Sequence, residues 1–109
     1  MLTVMFDADT IALMTERIRH ACNPRRIVLF GSHARGQAGP GSDVDLLVVL
    51  DHITDRRREA VALRRLLADI PVAKDVVLTT PDEITRRGGL IGTLLRPALR
   101  DGIVLHERG

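Results

Sequence analysis

The chain has 109 residues, 45% of them hydrophobic and 28% charged, with a formal net charge of +2, which is typical of a globular protein and excludes a disordered tail. This length predicts a single domain over residues 1–109. With no apolar run near the roughly 18 residues that cross a bilayer, no basic signal-peptide region and a lone Cys22, we expect a cytoplasmic protein, neither secreted nor membrane-spanning.

The N-terminal part of the chain predicts a helix followed by a short strand. The helix begins near Asp7 or Asp9, either of which can cap its free N–H groups, and it ends before Pro24. Residues 27–30 (IVLF) then form a buried strand, which Gly31 terminates. Apolar residues at helical spacing support the helix: Ile11, Met14, Ile18 and Ala21.

The middle of the chain predicts a loop, a strand and an amphipathic helix. Residues 31–42 (GSHARGQAGPGS) contain four glycines and a proline and are predicted to be loop. Residues 43–50 (DVDLLVVL) form the strongest strand, whose apolar second half indicates burial on both faces. A helix follows over about residues 54–69. Its buried stripe is Ala60, Leu63, Leu67 and Ile70, and its other faces carry Arg56, Arg57, Arg58, Arg64 and Arg65.

The last third of the chain completes the predicted fold. Residues 72–79 form a third strand, and residues 80–83 (TPDE) have the pattern of a capping box that starts a third helix. Residues 103–105 predict a short final strand at the edge of the sheet. The order of elements predicts an α/β domain of the α+β type, with a small mixed sheet of about four strands flanked by helices.

The basic residues are almost all arginine, since Lys74 is the single lysine among sixteen. Arginine favours bidentate binding of phosphate or carboxylate, although a GC-rich genome would produce the same bias. Phe6 and Phe30 are the only aromatic residues, so the chain has no platform for stacking several bases. Composition therefore favours a polyanionic ligand or an acidic partner over sequence-specific recognition of nucleic acid.

Two aspartates begin the strongest strand. Asp43 and Asp45 are two residues apart, so both side chains point to one face of the strand. Adjacent carboxylates repel each other and are costly to desolvate, and a hard divalent cation between them is the natural compensation. For an isolated Asp-x-Asp, the ordinary alternative is a turn cap plus an ion pair with arginine.

The predicted topology brings further groups to these aspartates. An antiparallel pairing of the first two strands places Gly31 and Ser32 beside Asp43 and Asp45, and a right-handed crossover to a parallel third strand adds Asp75. A glycine lets the backbone approach a phosphate, to which the Ser32 hydroxyl can donate. Three carboxylates opposite such a turn suit two divalent cations about 3.5–4 Å apart, with Asp75 as a further ligand or general base.

The stretch GSHARGQAGPGSDVDLLVVL resembles the nucleotidyltransferase signature of the DNA polymerase beta superfamily: Gly-Ser, ten residues, then Asp-x-Asp. Asp75 in KDVVL matches the third carboxylate of that pattern. The short chain and the GSxARG form are similar to the minimal nucleotidyltransferases, the MNT half of HEPN–MNT toxin–antitoxin pairs. The resemblance covers residues 26–80 and implies the minimal nucleotidyltransferase fold.

This resemblance implies an enzyme that transfers AMP from ATP, or another nucleotide, to an acceptor hydroxyl and releases pyrophosphate. It implies Mg²⁺ as the cofactor, as two ions, with Mn²⁺ as an alternative. By the same resemblance the catalytic and metal-binding residues are Asp43, Asp45 and Asp75, and the nucleotide-binding residues are Gly31, Ser32, Arg35 and Ser42.

The resemblance also implies an acceptor, a tyrosine of a HEPN ribonuclease toxin that the chain silences as an antitoxin in a hetero-oligomer. This chain contains no tyrosine, so such a modification acts in trans. Two alternatives to this interpretation remain open. In the first, the chain is an antitoxin that neutralises the toxin by binding alone. In the second, it is a nucleotidyltransferase whose acceptor is a small molecule or an RNA end.

Overall fold

The computed structural model describes residues 8–31, 33–34, 36, 43–87 and 102–108. Within these ranges none of the helices is long and apolar enough to cross a membrane. In chain order, the elements are α1 (Ala8–Cys22), β1 (Arg26–Phe30), β2 (Val44–Val49), α2 (Arg56–Leu66), β3 (Lys74–Thr79), α3 (Pro81–Arg87) and β4 (Ile103–Glu107). The predicted types and order of the elements are confirmed; Asp7 lies outside the described residues.

The strands form one mixed sheet in the order β3-β2-β1-β4. β1 pairs antiparallel with both β2 and β4, whereas β3 runs parallel to β2. A parallel pair needs a crossover connection, and α2 provides it between β2 and β3. The predicted mixed α/β architecture is therefore confirmed, including the final strand at the edge of the sheet.

Alternating side chains bury both faces of the sheet. α1 and α2 cover one face, and α3 packs on the other, which we call the α3 face. The larger cluster comprises Met14, Ile18, Ile27, Leu29, Val44, Leu46, Val48, Leu50, Leu63, Leu67, Ile70, Val76 and Leu78. On the α3 face lie Val28, Phe30, Leu47 and Val49, with Val77 and Ile84 packed against them. Burial on both faces explains the continuous apolar sequence of β2.

Capping makes α2 shorter than the predicted 54–69. The Asp55 side chain accepts a hydrogen bond from the Arg58 backbone N–H, and the Glu59 carboxylate accepts from the backbone N–H groups of Thr54 and Asp55. This reciprocal arrangement resembles a capping box, with the returning carboxylate one residue later than usual, and it sets the first helical residue at Arg56. The regular helix ends at Leu66, and the residues that follow form a turn.

An ion cluster joins the C-terminal strand to the end of the sheet where β1 begins. The Arg108 guanidinium donates to both carboxylate oxygens of Asp51 at 2.8 and 2.9 Å and to the backbone carbonyl of Asn23 at 2.9 Å. Arg25 donates to the same carboxylate at 3.3 Å. Arg108, followed by Arg25, therefore lowers the pKa of Asp51.

We expect the Asp51→Asn variant to lose part of the acid sensitivity of the protein. A carboxyl group with a lowered folded-state pKa stabilises the fold above its unfolded-state pKa of about 4, and this contribution disappears as pH falls through the lower folded value. Because 42% of the Asp51 side chain is exposed, the Tm at neutral pH should fall by only a few degrees. Thermal melts between neutral pH and about pH 3 should show the two proteins converging; a constant difference would contradict the assignment.

Candidate active site

The sheet brings the three predicted aspartates to one of its ends, where β2 and β3 begin; we call this end of the sheet the edge. Asp45 and Asp75 are register partners across the parallel β2–β3 pair, and neighbouring strands lie about 4.8 Å apart. The Val44 backbone N–H donates to the Ala73 carbonyl at 2.8 Å, which fixes this register at the edge. Asp43 directly precedes β2. The predicted adjacency of these strand ends is therefore found, and it follows from the crossover through α2.

All three aspartates belong to the α3 face of the sheet. Asp45 alternates with Leu47 on β2, and Asp75 alternates with Val77 on β3; both of these apolar residues lie on that face. Asp43 shares it because it stands two residues before Asp45. Asp45 is half-buried, whereas Asp43 and Asp75 are exposed. The edge therefore offers carboxylates that solvent and a ligand can reach.

Gly31 lies directly against one of these carboxylates. Phe30 at the end of β1 is the register partner of Asp45, so the next residue meets the Asp45 side chain. A Cβ atom on Gly31 would stand 2.2 Å from Asp45 Oδ2, and its φ of +76° is the left-handed conformation that favours glycine. From the sequence alone, this glycine is explained by the approach of a phosphate to the backbone. The register of β1 and β2 gives a second reason for a glycine here, since a larger residue would meet the Asp45 side chain.

A tight turn follows β1. The Ala34 backbone N–H donates to the Gly31 carbonyl at 3.1 Å, and the Gly36 N–H donates to the His33 carbonyl at 3.4 Å. These bonds begin the loop that the sequence predicts after Gly31. The predicted nucleotide-binding residues Ser32, Arg35 and Ser42 lie outside the described residues.

The chemistry of the aspartates fits a hard divalent cation, since carboxylate oxygens are its preferred ligands. β1 and β3 flank β2 on opposite sides. The Asp45 carboxylate, on β2, lies against Gly31 at the end of β1, and this contact is on the side of β2 away from Asp75. In the part of the chain that the structure describes, no three His, Cys, Asp or Glu side chains are close enough to hold a metal ion together. The three carboxylates thus share one face and one edge without forming a closed ligand set.

Solved structures share this fold. A protein of Sulfolobus solfataricus described as a nucleotidyltransferase superposes with a TM-score of 0.65 at 18% identity, over 92% of this chain and 79% of that one. A toxin–antitoxin structure with AMP-PNP has a TM-score of 0.60 at 19% identity, over 89% and 73% of the two chains. A toxin–antitoxin MntA–HpeT mutant with two Asp-to-Glu substitutions gives 0.57 at 20% identity, over 92% and 72%.

Sequence comparison identifies the family. No curated protein sequence matches the chain significantly. The family model described as "Nucleotidyltransferase domain" matches residues 15–100, which include β1, the loop after it, β2, α2 and β3. This span contains the Gly-Ser and Asp-x-Asp elements of the signature as well as Asp75. The chain therefore belongs to the nucleotidyltransferase domain family.

Proposed function

We propose that this chain is a cytoplasmic, metal-dependent antitoxin enzyme that transfers AMP from ATP to a hydroxyl group of a toxin protein. The observation that carries the proposal is the placement of Asp43, Asp45 and Asp75 on one face and one edge of the sheet, beside the turn at Gly31. A family of nucleotidyltransferases supplies the reaction class.

In this reaction the acceptor oxygen bonds to the α-phosphorus of ATP, the bond from that phosphorus to the bridging oxygen breaks, and pyrophosphate leaves. Asp43 and Asp45 would hold Mg²⁺, or Mn²⁺, with the triphosphate, and Asp75 would act as a further ligand or would accept the proton of the attacking hydroxyl. Bound Mg²⁺ supplies neutralisation of the charge on the triphosphate and the leaving pyrophosphate.

The nucleotide and the partner rest on the structural neighbours. One of them is a toxin–antitoxin structure with AMP-PNP, an ATP analogue, which supports ATP as the substrate here. In another, two aspartates two positions apart are replaced by glutamate, the same spacing as Asp43 and Asp45. Both assemblies support a toxin as the partner of this chain, and a HEPN ribonuclease is the specific partner that we propose.

The acceptor must be supplied by another molecule if it is a tyrosine. The chain contains no tyrosine, so it cannot be its own substrate for such a modification. The exposed positions of Asp43 and Asp75 are compatible with an acceptor that enters from solvent on a separate protein. We therefore propose a tyrosine of the HEPN toxin as the acceptor.

The direct test uses the full chain, ATP labelled at the α-phosphate, MgCl₂ and the protein that the neighbouring gene encodes. We expect label on that protein, release of pyrophosphate, and loss of both with EDTA. Tryptic mapping should place the label on a tyrosine. Parallel reactions replace that protein by an RNA oligonucleotide or by a small hydroxyl compound, and transfer of label to either of these but not to the protein would contradict a protein acceptor.

An assay of toxin inhibition, run on the same mixtures as the labelling reaction, separates catalysis from binding. If the chain neutralises its neighbour equally well with EDTA or without ATP, and no label is transferred, the proposed enzymatic mechanism is wrong. The chain would then be an antitoxin that acts by occupying the toxin surface.

A further inference from the structure

The solvent-exposed face of α2 is strongly basic. Residues seven apart on a helix lie nearly above one another, about 10.5 Å apart along its axis, so Arg57 aligns with Arg64 and Arg58 with Arg65. All four arginines are exposed, and Val61 stands between the two pairs. The buried stripe of the helix points the other way, into the core. We call this surface the arginine face; it consists of Arg57, Arg58, Val61, Ala62, Arg64 and Arg65.

No ion pair neutralises these four arginines among the residues that the structure describes. The acids of this region serve other groups, since Asp55 and Glu59 accept hydrogen bonds from backbone N–H groups at the start of α2. Arg56 differs from its neighbours. Its guanidinium donates to the Leu78 carbonyl and pairs with Glu83, so it belongs to the packing between α2, β3 and α3.

The first pair of these arginines is poorly placed for the isolated helix. Arg57 and Arg58 stand in the first turn, where the helix dipole favours negative charge, whereas Arg64 and Arg65 stand in the last turn, which suits cations. All four nevertheless form a row of like charges on one surface, with no ion pair in the described part of the chain. Such a row contributes little to the fold and is available to an acidic group outside it.

We propose that the arginine face binds an acidic surface of a partner protein. Arginine forms planar bidentate pairs with carboxylates and is enriched in protein interfaces. Val61 gives the surface an apolar centre between the two pairs of arginines, and Ala62 extends it past Arg58 and Arg65, as in an interface with an apolar core and a polar rim. A depression of about 390 Å³ lies there, lined by Asp55, Arg57, Arg58, Val61, Ala62 and Arg65.

A protein fits this surface better than a nucleic acid does. Binding of single-stranded nucleic acid normally adds aromatic side chains that stack on bases, and the described part of the chain has only Phe30, which is buried in the sheet. Phosphates would also leave the apolar centre at Val61 and Ala62 unused. Carboxylates that flank an apolar partner residue would satisfy both parts of the surface.

Docking on the arginine face leaves the aspartates accessible. α2 covers the face of the sheet opposite the α3 face, to which Asp43, Asp45 and Asp75 belong. A protein bound to α2 can therefore stay in place while an acceptor reaches the edge of the sheet. Such binding does not require that the chain transfers a nucleotide.

The test measures binding of the full chain to a fluorescein-labelled amphipathic helical peptide with glutamates flanking a leucine stripe. The variant replaces Arg57, Arg58, Arg64 and Arg65 by glutamine, which has a similar helix propensity. A control with the same net charge replaces Arg19, Arg25, Arg26 and Arg86, all of which form ion pairs. Fluorescence anisotropy should show at least about tenfold weaker binding for the variant and at most about twofold for the control.

Further arms decide between the classes of ligand. Raising NaCl from about 50 to about 500 mM should weaken binding to the wild-type chain, and a peptide with glutamine in place of glutamate should bind at least about tenfold more weakly. Equal losses in the variant and the control would overturn the proposal, as would tighter, arginine-dependent binding of a single-stranded RNA oligonucleotide. Binding that persists in the Asp43→Asn variant keeps this result separate from the proposed nucleotidyl transfer.

Discussion

Replacing Asp43 and Asp45 together by asparagine is expected to reduce Mg²⁺-dependent transfer of AMP by about 10³-fold or more. An asparagine keeps the size of the side chain but removes the negative charge that a divalent cation needs. Asp43 is exposed, and the substitutions reduce the repulsion with Asp75 across the β2–β3 pair. We therefore expect a folded protein whose Tm stays within a few degrees of the wild type.

The matched control is Asp82→Asn, an exposed aspartate on α3 that pairs with Arg86. Transfer should stay within about twofold of the wild type, since a surface ion pair contributes little. The measurement is incorporation of label from the α-phosphate of ATP, together with a thermal melt of each variant. Full transfer by the double variant would remove these aspartates from the proposed mechanism, whatever the acceptor.

Gly31→Ala is expected to disable the same site through geometry rather than charge. The new Cβ would stand 2.2 Å from Asp45 Oδ2, so the carboxylate must move. The left-handed φ of +76° adds backbone strain. Because the carboxylate can rotate away from the new Cβ, we expect a loss of only about 1–3 kcal/mol in the free energy of unfolding, or about 5–10 °C in Tm. The displaced carboxylate should decrease transfer by at least about 10²-fold.

Gly36→Ala is the control for the strain that a left-handed backbone conformation imposes on alanine. Gly36 has a similar φ of +70°, but nothing lies within 4 Å of its added Cβ. Its variant should lose only about 1 kcal/mol. In an Asp45→Ala background, Gly31→Ala should likewise cost only the backbone strain, because the clash is gone. If the two glycine variants were equal in stability and activity, the contact between Gly31 and Asp45 would have no role.

The elements of this fold could largely be predicted because their signals are local. Apolar spacing predicts α1, and the unbroken apolar run of β2 indicates burial on both faces, which the two side-chain clusters confirm. The neighbourhood of Asp45 and Asp75 follows from a general rule, since a crossover helix makes the next strand parallel. The roles of these aspartates as metal ligands stay a prediction.

The division of the arginines in α2 could not be predicted in this way. In the sequence, Arg56, Arg57 and Arg58 form one basic run. In the structure Arg56 turns to Leu78 and Glu83, whereas the next two arginines face solvent. A helix advances 100° per residue, so neighbours in sequence differ in face, but which face meets β3 depends on how the helix docks.

Local sequence was therefore sufficient for the order of helices and strands, the mixed sheet and the signature that places the chain in its family. The sequence already predicted Gly31 beside Asp45, but tertiary structure alone decided that the two are so close that a Cβ on Gly31 would clash with the carboxylate. It also decided that the arginine face is left without ion pairs in the described part of the chain. The physical reason is distance along the chain. Periodicity and capping act over a few residues, while contacts between β1 and β2 or between α2 and α3 depend on register and docking.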